Sequence, residues 1–244
     1  MTIFCAGLEF GMAEKISAIV LAAGSGSRMN SRTKKQYMLL KGKPVLWYSL
    51  FQFEKSIVDE IILVTSGEDI EFCQKEIVDK FEFCKVKHII AGGKERFNSV
   101  YNGLLKVKGD IVLIHDGARP LINQEIIENC IKETKKSGAC VTGVPVKDTI
   151  KTVSKDMIVE GTPDRNTLWI TQTPQTFESK LIKTAYNNMI KSTKSNITDD
   201  SMVVEQFTDR RVKFVMGNYT NIKITTPEDI QLAELFLDKA QNIV

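Results

Sequence analysis

Histidine is scarce in this chain. There are two in 244 residues, beside five cysteines (5, 73, 84, 130 and 140) that form no C-x-x-C pair. A zinc site of the Cys/His type needs clustered ligands, so that class is disfavoured. An odd set of unpaired thiols also argues against a disulfide framework and for the reduced cysteines of a cytoplasmic protein. No stretch approaches the roughly 20 apolar residues of a membrane span. The opening MTIFCAGLEFG lacks both the basic start and the apolar centre of a signal peptide. Met12 followed by AEK reads as a more natural beginning, so residues 1–12 are expected to be a disordered extension, or 1–11 the product of an upstream start. Strong charge bias is missing too. The formal net charge is +3 and the lysines are dispersed, which argues against a nucleic-acid partner. The KETKK run at 132–136 reads as a solvated helix face.

What is present is an ordinary globular composition, 43% hydrophobic and 26% charged, in a chain long enough to bury a core. Short β-branched runs at 17–21, 60–64, 86–90, 110–114 and 139–144 read as strands. Between them, 45–54, 69–80, 97–106 and 124–137 carry apolar residues at helical spacing. This alternation predicts an α/β fold, a Rossmann-like, mostly parallel sheet with helices on both faces. The rhythm breaks over about 145–177, which holds three of the six prolines and short polar–apolar alternation. That stretch is expected to form β-ribbons, either an arm on a second subunit or a lid. Helical spacing resumes at 178–191. A last helix is expected after Thr226, with Pro227 at its first position and acids in its first turn. No repeat or low-complexity linker interrupts residues 13–244, which read as one domain.

The most informative segment is ISAIVLAAGSGSRM at 16–29: an apolar strand, a loop of small residues, then Arg28, with Lys35 seven residues on in KKQY. Gly24 and Gly26 let backbone N–H groups approach a polyphosphate, and Arg28 and Lys35 oppose its charge. The loop lacks the G-K-[ST] ending of a P-loop and does not complete G-x-G-x-x-G, which disfavours P-loop kinases and dehydrogenases. GGKERFNSV at 92–100 puts two glycines before a helix carrying Arg96 and Ser99, and Ser99 is a candidate contact to a nucleobase. In HDGARP at 115–120, Asp116 ends an apolar run where a Mg²⁺ ligand or metal-oriented water would sit, with Arg119 near a second phosphate. A structural Asp–Arg pair is the competing reading, and His115 is expected to be packed and hydrogen-bonded. Thr149, Arg165, Thr173, Thr198 and Lys223 supply the hydroxyls and cations that a polyhydroxy phosphate needs.

AAGSGSRM, KKQY, GGKERFNSV, HDGARP, DTIK, DRNTLW, QTPQTF, TDDSMVVE and NIKITTPED occur in this order across 16–232. The set resembles the sugar-phosphate and polyol-phosphate nucleotidyltransferases and, among them, the 2-C-methyl-D-erythritol 4-phosphate cytidylyltransferase family. The resemblance implies transfer of CMP from CTP to a polyol phosphate with Mg²⁺ in isoprenoid synthesis. It implies catalytic roles for Arg28 and Lys35 on the triphosphate. It puts Ala22, Ala23, Gly24, Gly26, Gly92 and Ser99 around CTP, and Asp116, Arg119, Thr173, Thr198 and Lys223 around the substrate. Thr149 and Arg165, on the β-arm, would reach into the partner subunit's site of a homodimer. Ribitol-5-phosphate cytidylyltransferase shares the loop chemistry, but DTIK, DRNTLW and TDDSMVVE fit it less well. A non-catalytic sensor on the same fold would not need Arg28, Lys35 and Asp116 together. The length is expected to leave no room for a second, fused catalytic domain. Two departures stand out: Lys34 where the family usually has Pro, and Gly117 where Ala is commoner. The first is expected to alter loop closure and the second to be tolerated.

Overall fold

The structure, a computed structural model, describes residues 14–24, 33–192 and 196–241. Gly26, Arg28 and the expected N-terminal extension lie outside these residues. In chain order the strands are β1 (Ile16–Ala22), β2 (Leu39–Leu40), β3 (Lys43–Pro44), β4 (Glu60–Thr65), β5 (Val86–Ala91) and β6 (Ile111–Asp116). They continue with β7 (Ala139–Pro145), β8 (Thr152–Val153), β9 (Val159–Gly161), β10 (Trp169–Glu178) and β11 (Lys213–Met216). The helices are α1 (Val45–Lys55), α2 (Ile70–Phe72), α3 (Arg96–Leu104), α4 (Gln124–Ser137), α5 (Ser179–Ile190), α6 (Asp200–Phe207) and α7 (Pro227–Gln241).

Seven strands form one sheet in the order β11-β7-β10-β6-β1-β4-β5. The β6–β1, β1–β4, β4–β5 and β7–β11 pairs are parallel, and β10 alone runs antiparallel to both neighbours. This is the expected mostly parallel sheet. β1 is apolar at every position but Ser17 because it is covered on both faces. Ala18 and Val20 face a core built with Leu46, Leu50 and Phe53 of α1 and Ile127 and Cys130 of α4. Ile19, between them, faces the opposite core with Val100 and Leu104 of α3 and Tyr186 of α5. The strand period of two divides the two cores.

Two readings need correction. The expected ribbon region at 145–177 ends in a strand of the main sheet: β10 is wedged between β6 and β7, with residues 172–177 buried. Its polar sequence is compatible with burial because the side chains are bonded. Gln175 donates to Asp199 (3.0 Å) and accepts from the Ser201 N–H (2.8 Å), and Gln172 donates to the Asn218 carbonyl (2.8 Å). Only 146–168 remains as exposed chain, carrying the short β8–β9 ribbon. The helix expected over 69–80 is α-helical at 70–72 and π-wound over Cys73–Asp79. At α7, Pro227 takes the first helical position after Thr226, as expected, and the Asp229 carboxylate reaches back to accept from the Thr225 and Thr226 N–H groups (both 2.8 Å).

Candidate active site

Parallel strands deliver their carboxyl ends to one edge, and loops leaving β1, β5 and β6 enclose a cavity of about 400 Å³ there. Its walls include Ala22 at the end of β1, Ala23 and Gly24 after it, Lys35, Ser99 on α3, Asp116 at the end of β6, and Lys223. Seven of the sequence's candidates therefore converge on one cavity. Gly92, after β5, stands behind them. A Cβ there would lie 2.6 Å from the Ala23 Cβ and 2.7 Å from the Ser99 Oγ, so glycine is what lets the two loops close on each other. Ser99 Oγ accepts from the Gly93 N–H at 3.0 Å and fixes that loop.

Asp116 is the electrostatic centre. Its Oδ2 accepts from Lys223 Nζ at 2.7 Å and lies 3.9 Å from Arg119 Nε, and its Oδ1 lies 3.4 Å from Arg96 Nε. Burial alone would raise its pKa, but Arg96, Lys223 and Arg119 outweigh that and hold the carboxyl far below the usual range. The structural ion-pair reading of Asp116 is thus realised in fuller form than a single Asp–Arg pair. Arg96 is itself gripped by Asp200, fully buried at the start of α6, through two parallel bonds of 2.9 and 2.8 Å. Tyr186 donates to the same carboxylate at 2.6 Å. Burial disfavours the Arg96 charge, and Asp200 with Asp116 more than restores it, raising its pKa.

Behind Asp116 a polar chain fixes the strand end. The Asp116 N–H donates to Thr173 Oγ1 (3.1 Å), which is 3.0 Å from His115 Nδ1, and His115 Nε2 is 3.2 Å from the Arg119 carbonyl. A carbonyl can only accept, so the network assigns the proton to Nε2 and leaves Nδ1 to accept from the threonine hydroxyl. Burial lowers the His115 pKa to about 4, and the ring is neutral. His115 is the packed, hydrogen-bonded residue expected. Arg119 donates to the Asn221 carbonyl at 2.8 Å, and its buried Nε lacks a hydrogen-bond acceptor.

Other candidates fall elsewhere. Thr149 and Arg165 are exposed on 146–168, where Arg165 donates to the Lys147 carbonyl (3.0 Å), and neither lines the cavity. Thr198 is also exposed and outside the lining, two residues before Asp200. Arg96 and Asp200 stand in segments the sequence singled out, yet received no role. Gln36 was missed as well: its buried amide donates to the carbonyls of Ala22 (2.6 Å) and Gly24 (3.1 Å), tying KKQY to the end of β1. Gly117 packs tightly, since a Cβ there would meet Leu46 Cδ1 at 2.8 Å and the Leu21 carbonyl at 3.0 Å.

Chemically, the cavity presents Lys35, Lys94, Arg96 and Lys223 against Glu95 and Asp116. That excess of cations suits an anionic ligand. Among the described residues no group of three or more His, Cys, Asp or Glu side chains is placed to hold a metal. With three cations already on Asp116, the residues fit a divalent ion carried by phosphate oxygens and touching at most this carboxylate. No described helix is long and apolar enough to cross a membrane.

Residues 16–239 match the family model described as IspD, 2-C-methyl-D-erythritol 4-phosphate cytidylyltransferase. A 2-C-methyl-D-erythritol 4-phosphate cytidylyltransferase of Lachnoclostridium phytofermentans is 49% identical over 232 residues, 95% of this chain and 100% of that protein. The protein of the same name from Lachnospira eligens is 52% identical over 91% of this chain and 98% of its own length. Among solved structures, the 4-diphosphocytidyl-2C-methyl-D-erythritol synthase of Anaerococcus prevotii superposes with a TM-score of 0.82 at 38% identity, covering 92% of this chain and 96% of that one.

Proposed function

The chain belongs to the 2-C-methyl-D-erythritol 4-phosphate cytidylyltransferase family, and on that premise we propose that it transfers CMP from CTP to 2-C-methyl-D-erythritol 4-phosphate. The products are 4-diphosphocytidyl-2-C-methyl-D-erythritol and pyrophosphate. The observation that carries this reading is the cation-rich cavity at the carboxyl edge of the parallel sheet.

A phosphate monoester has a second pKa near 6 and is largely dianionic at neutral pH. It needs no general base, which agrees with a neutral, buried His115. One oxygen of the acceptor phosphate forms a bond to the α-phosphorus of CTP. The bond from that phosphorus to its bridging oxygen breaks, and pyrophosphate leaves with the electron pair. The chain's task is therefore to align two anions and to offset charge in the transition state. Ala22, Ala23, Gly24, Gly26, Gly92 and Ser99 are the proposed surroundings of the nucleotide. Lys35 is assigned to the triphosphate, as is Arg28, whose role rests on the resemblance alone. Asp116 would orient Lys223 and Arg119 toward the acceptor, with Thr173 behind it and Thr198 at the rim. Mg²⁺, bound to the triphosphate, would neutralise part of its charge. Thr149 and Arg165 would serve the neighbouring site of a cytoplasmic homodimer.

The test follows pyrophosphate release from CTP and Mg²⁺ with 2-C-methyl-D-erythritol 4-phosphate or, separately, ribitol 5-phosphate. Release with the first alone supports the proposal. Release with the second alone would move the acceptor assignment, and CTP binding without release from either would mark a sensor.

A further inference from the structure

Lys35 is one residue of a tight turn whose other members are each tied down, and the ties have different origins. The turn is a 3₁₀ helix, Lys35–Tyr37, preceded by Lys34 with φ −61° and ψ 138°. That φ is one a proline ring would impose, so the departure at Lys34 leaves the backbone in the same region. Gln36 is bonded to the β1 end, as described. Tyr37 Oη lies 2.7 Å from Thr65 Oγ1 at the end of β4 and donates to Asp69 Oδ2 at 3.1 Å. Lys34 completes the set from the other side. Its Nζ donates to Ser66 Oγ (2.9 Å), to Glu68 Oε1 and to Asp69 Oδ2 (2.7 Å). The Asp69 carboxylate thus holds both flanks of the turn, and Lys35 between them lines the cavity.

We propose that Lys34 is a positioning residue for Lys35: its ammonium clamps the 34–37 turn onto the 66–69 turn and sets where Lys35 stands in the cavity. This rests on the proposed cytidylyl transfer for its kinetic readout. Three donations satisfy the ammonium fully. Glu68 is 75% exposed and adds little, whereas Asp69 at 17% and Lys34 at 23% are shielded enough for the pair to define a geometry. Burial works against the Lys34 charge, but Asp69 and Glu68 prevail and raise its pKa. Burial likewise works against the Asp69 charge, and Lys34, Ser66 and Tyr37 prevail and lower its pKa. The clamp is therefore charged on both sides across the neutral range. Its energy is small on the scale of folding, and its consequence is local.

The test is a double-mutant cycle on the full chain, with Lys34→Met and Lys35→Ala alone and together. Lys34→Met keeps the stem and removes the charge. It is expected to lower kcat about tenfold in the Lys35 background, since misplacement of a catalytic group carries penalties of this order. In the Lys35→Ala background it should change kcat less than about twofold. Lys34→Arg should restore most of the rate, and the melting temperature should move by no more than a few degrees. Asp69→Asn breaks the clamp from its other side and should reproduce the kcat loss. An equal loss in both backgrounds, no loss in either, or a loss that tracks the melting temperature would overturn the proposal. Absence of turnover by the unaltered chain counts against the proposed function instead. The same four proteins would then be compared by calorimetry with CTP and Mg²⁺. Weaker binding from Lys34→Met only where Lys35 is present supports the clamp, and equal weakening in both backgrounds overturns it.

Discussion

The cavity edge and the exposed segment 146–168 carry candidate residues of the same chemical kinds, cations and hydroxyls, in opposite physical settings. At the cavity, Asp116 is 7% exposed and is flanked by Arg96, Arg119 and Lys223. Arg96 is aimed by Asp200 at the start of α6, and Arg119 by the Asn221 carbonyl. Along 146–168 the order reverses: Met157, Ile158 and Val159 are 78%, 66% and 57% exposed, and the exposed Arg165 donates to the Lys147 carbonyl of the same segment. Apolar side chains left in water in sequence are more economical when another surface covers them. One half of the proposed site is preorganised within one chain, and the other half lacks such support until something packs on it.

Removing the centre of the organised half should have the largest effect. Asp116→Ala leaves three buried or half-buried cations without their common anion. Loss of about 3–5 kcal/mol of stability is expected, with turnover abolished, as read by denaturant melts and pyrophosphate release. Acid should act on the same place. The depressed His115 pKa means that the unfolded chain binds a proton below about 6.5 that the folded chain refuses until about 4. Stability is then complete above pH 6.5 and falls by roughly 3 kcal/mol as pH drops to 4, a slope that His115→Gln should flatten. Lys35→Ala should lower kcat by about 10²-fold and weaken CTP binding much less, the pattern that the proposed role in the transition state requires. Arg165→Ala should raise the KM for the acceptor about tenfold and leave the KM for CTP unchanged. If Arg165→Ala harmed CTP use as much as Lys35→Ala does, the division between the two regions would collapse.

Much of the fold was legible because parallel strands buried on both faces must be largely apolar, as residues 18–22 and 111–114 are. β10 was not, since TQTPQTFE hides a buried strand behind polar residues whose partners, Asp199, Ser201 and Asn218, are remote in sequence. β11 escaped notice because it is a four-residue edge strand with three exposed positions. In the site, residues on strand ends were readable from position: Asp116 follows an apolar run, and Ala22 to Gly24 follow another. Arg96 and Asp200 were not paired, because a contact between positions 104 apart leaves no local pattern. Lys34 stood out in the sequence as a departure from the family's Pro, and only the fold shows the acidic turn at 66–69 that receives it.

The direct measurement of the central contrast mixes two impaired chains, Lys35→Ala and Arg165→Ala, with the acceptor well below its KM so that each alone is slow, under conditions that allow subunits to exchange. If each site joins the cavity of one chain to the exposed segment of another, a mixed dimer contains one intact site. Random exchange then restores about a quarter of the unaltered activity per chain. Activity no greater than the average of the two parents would contradict the account and place both halves of the site in a single chain.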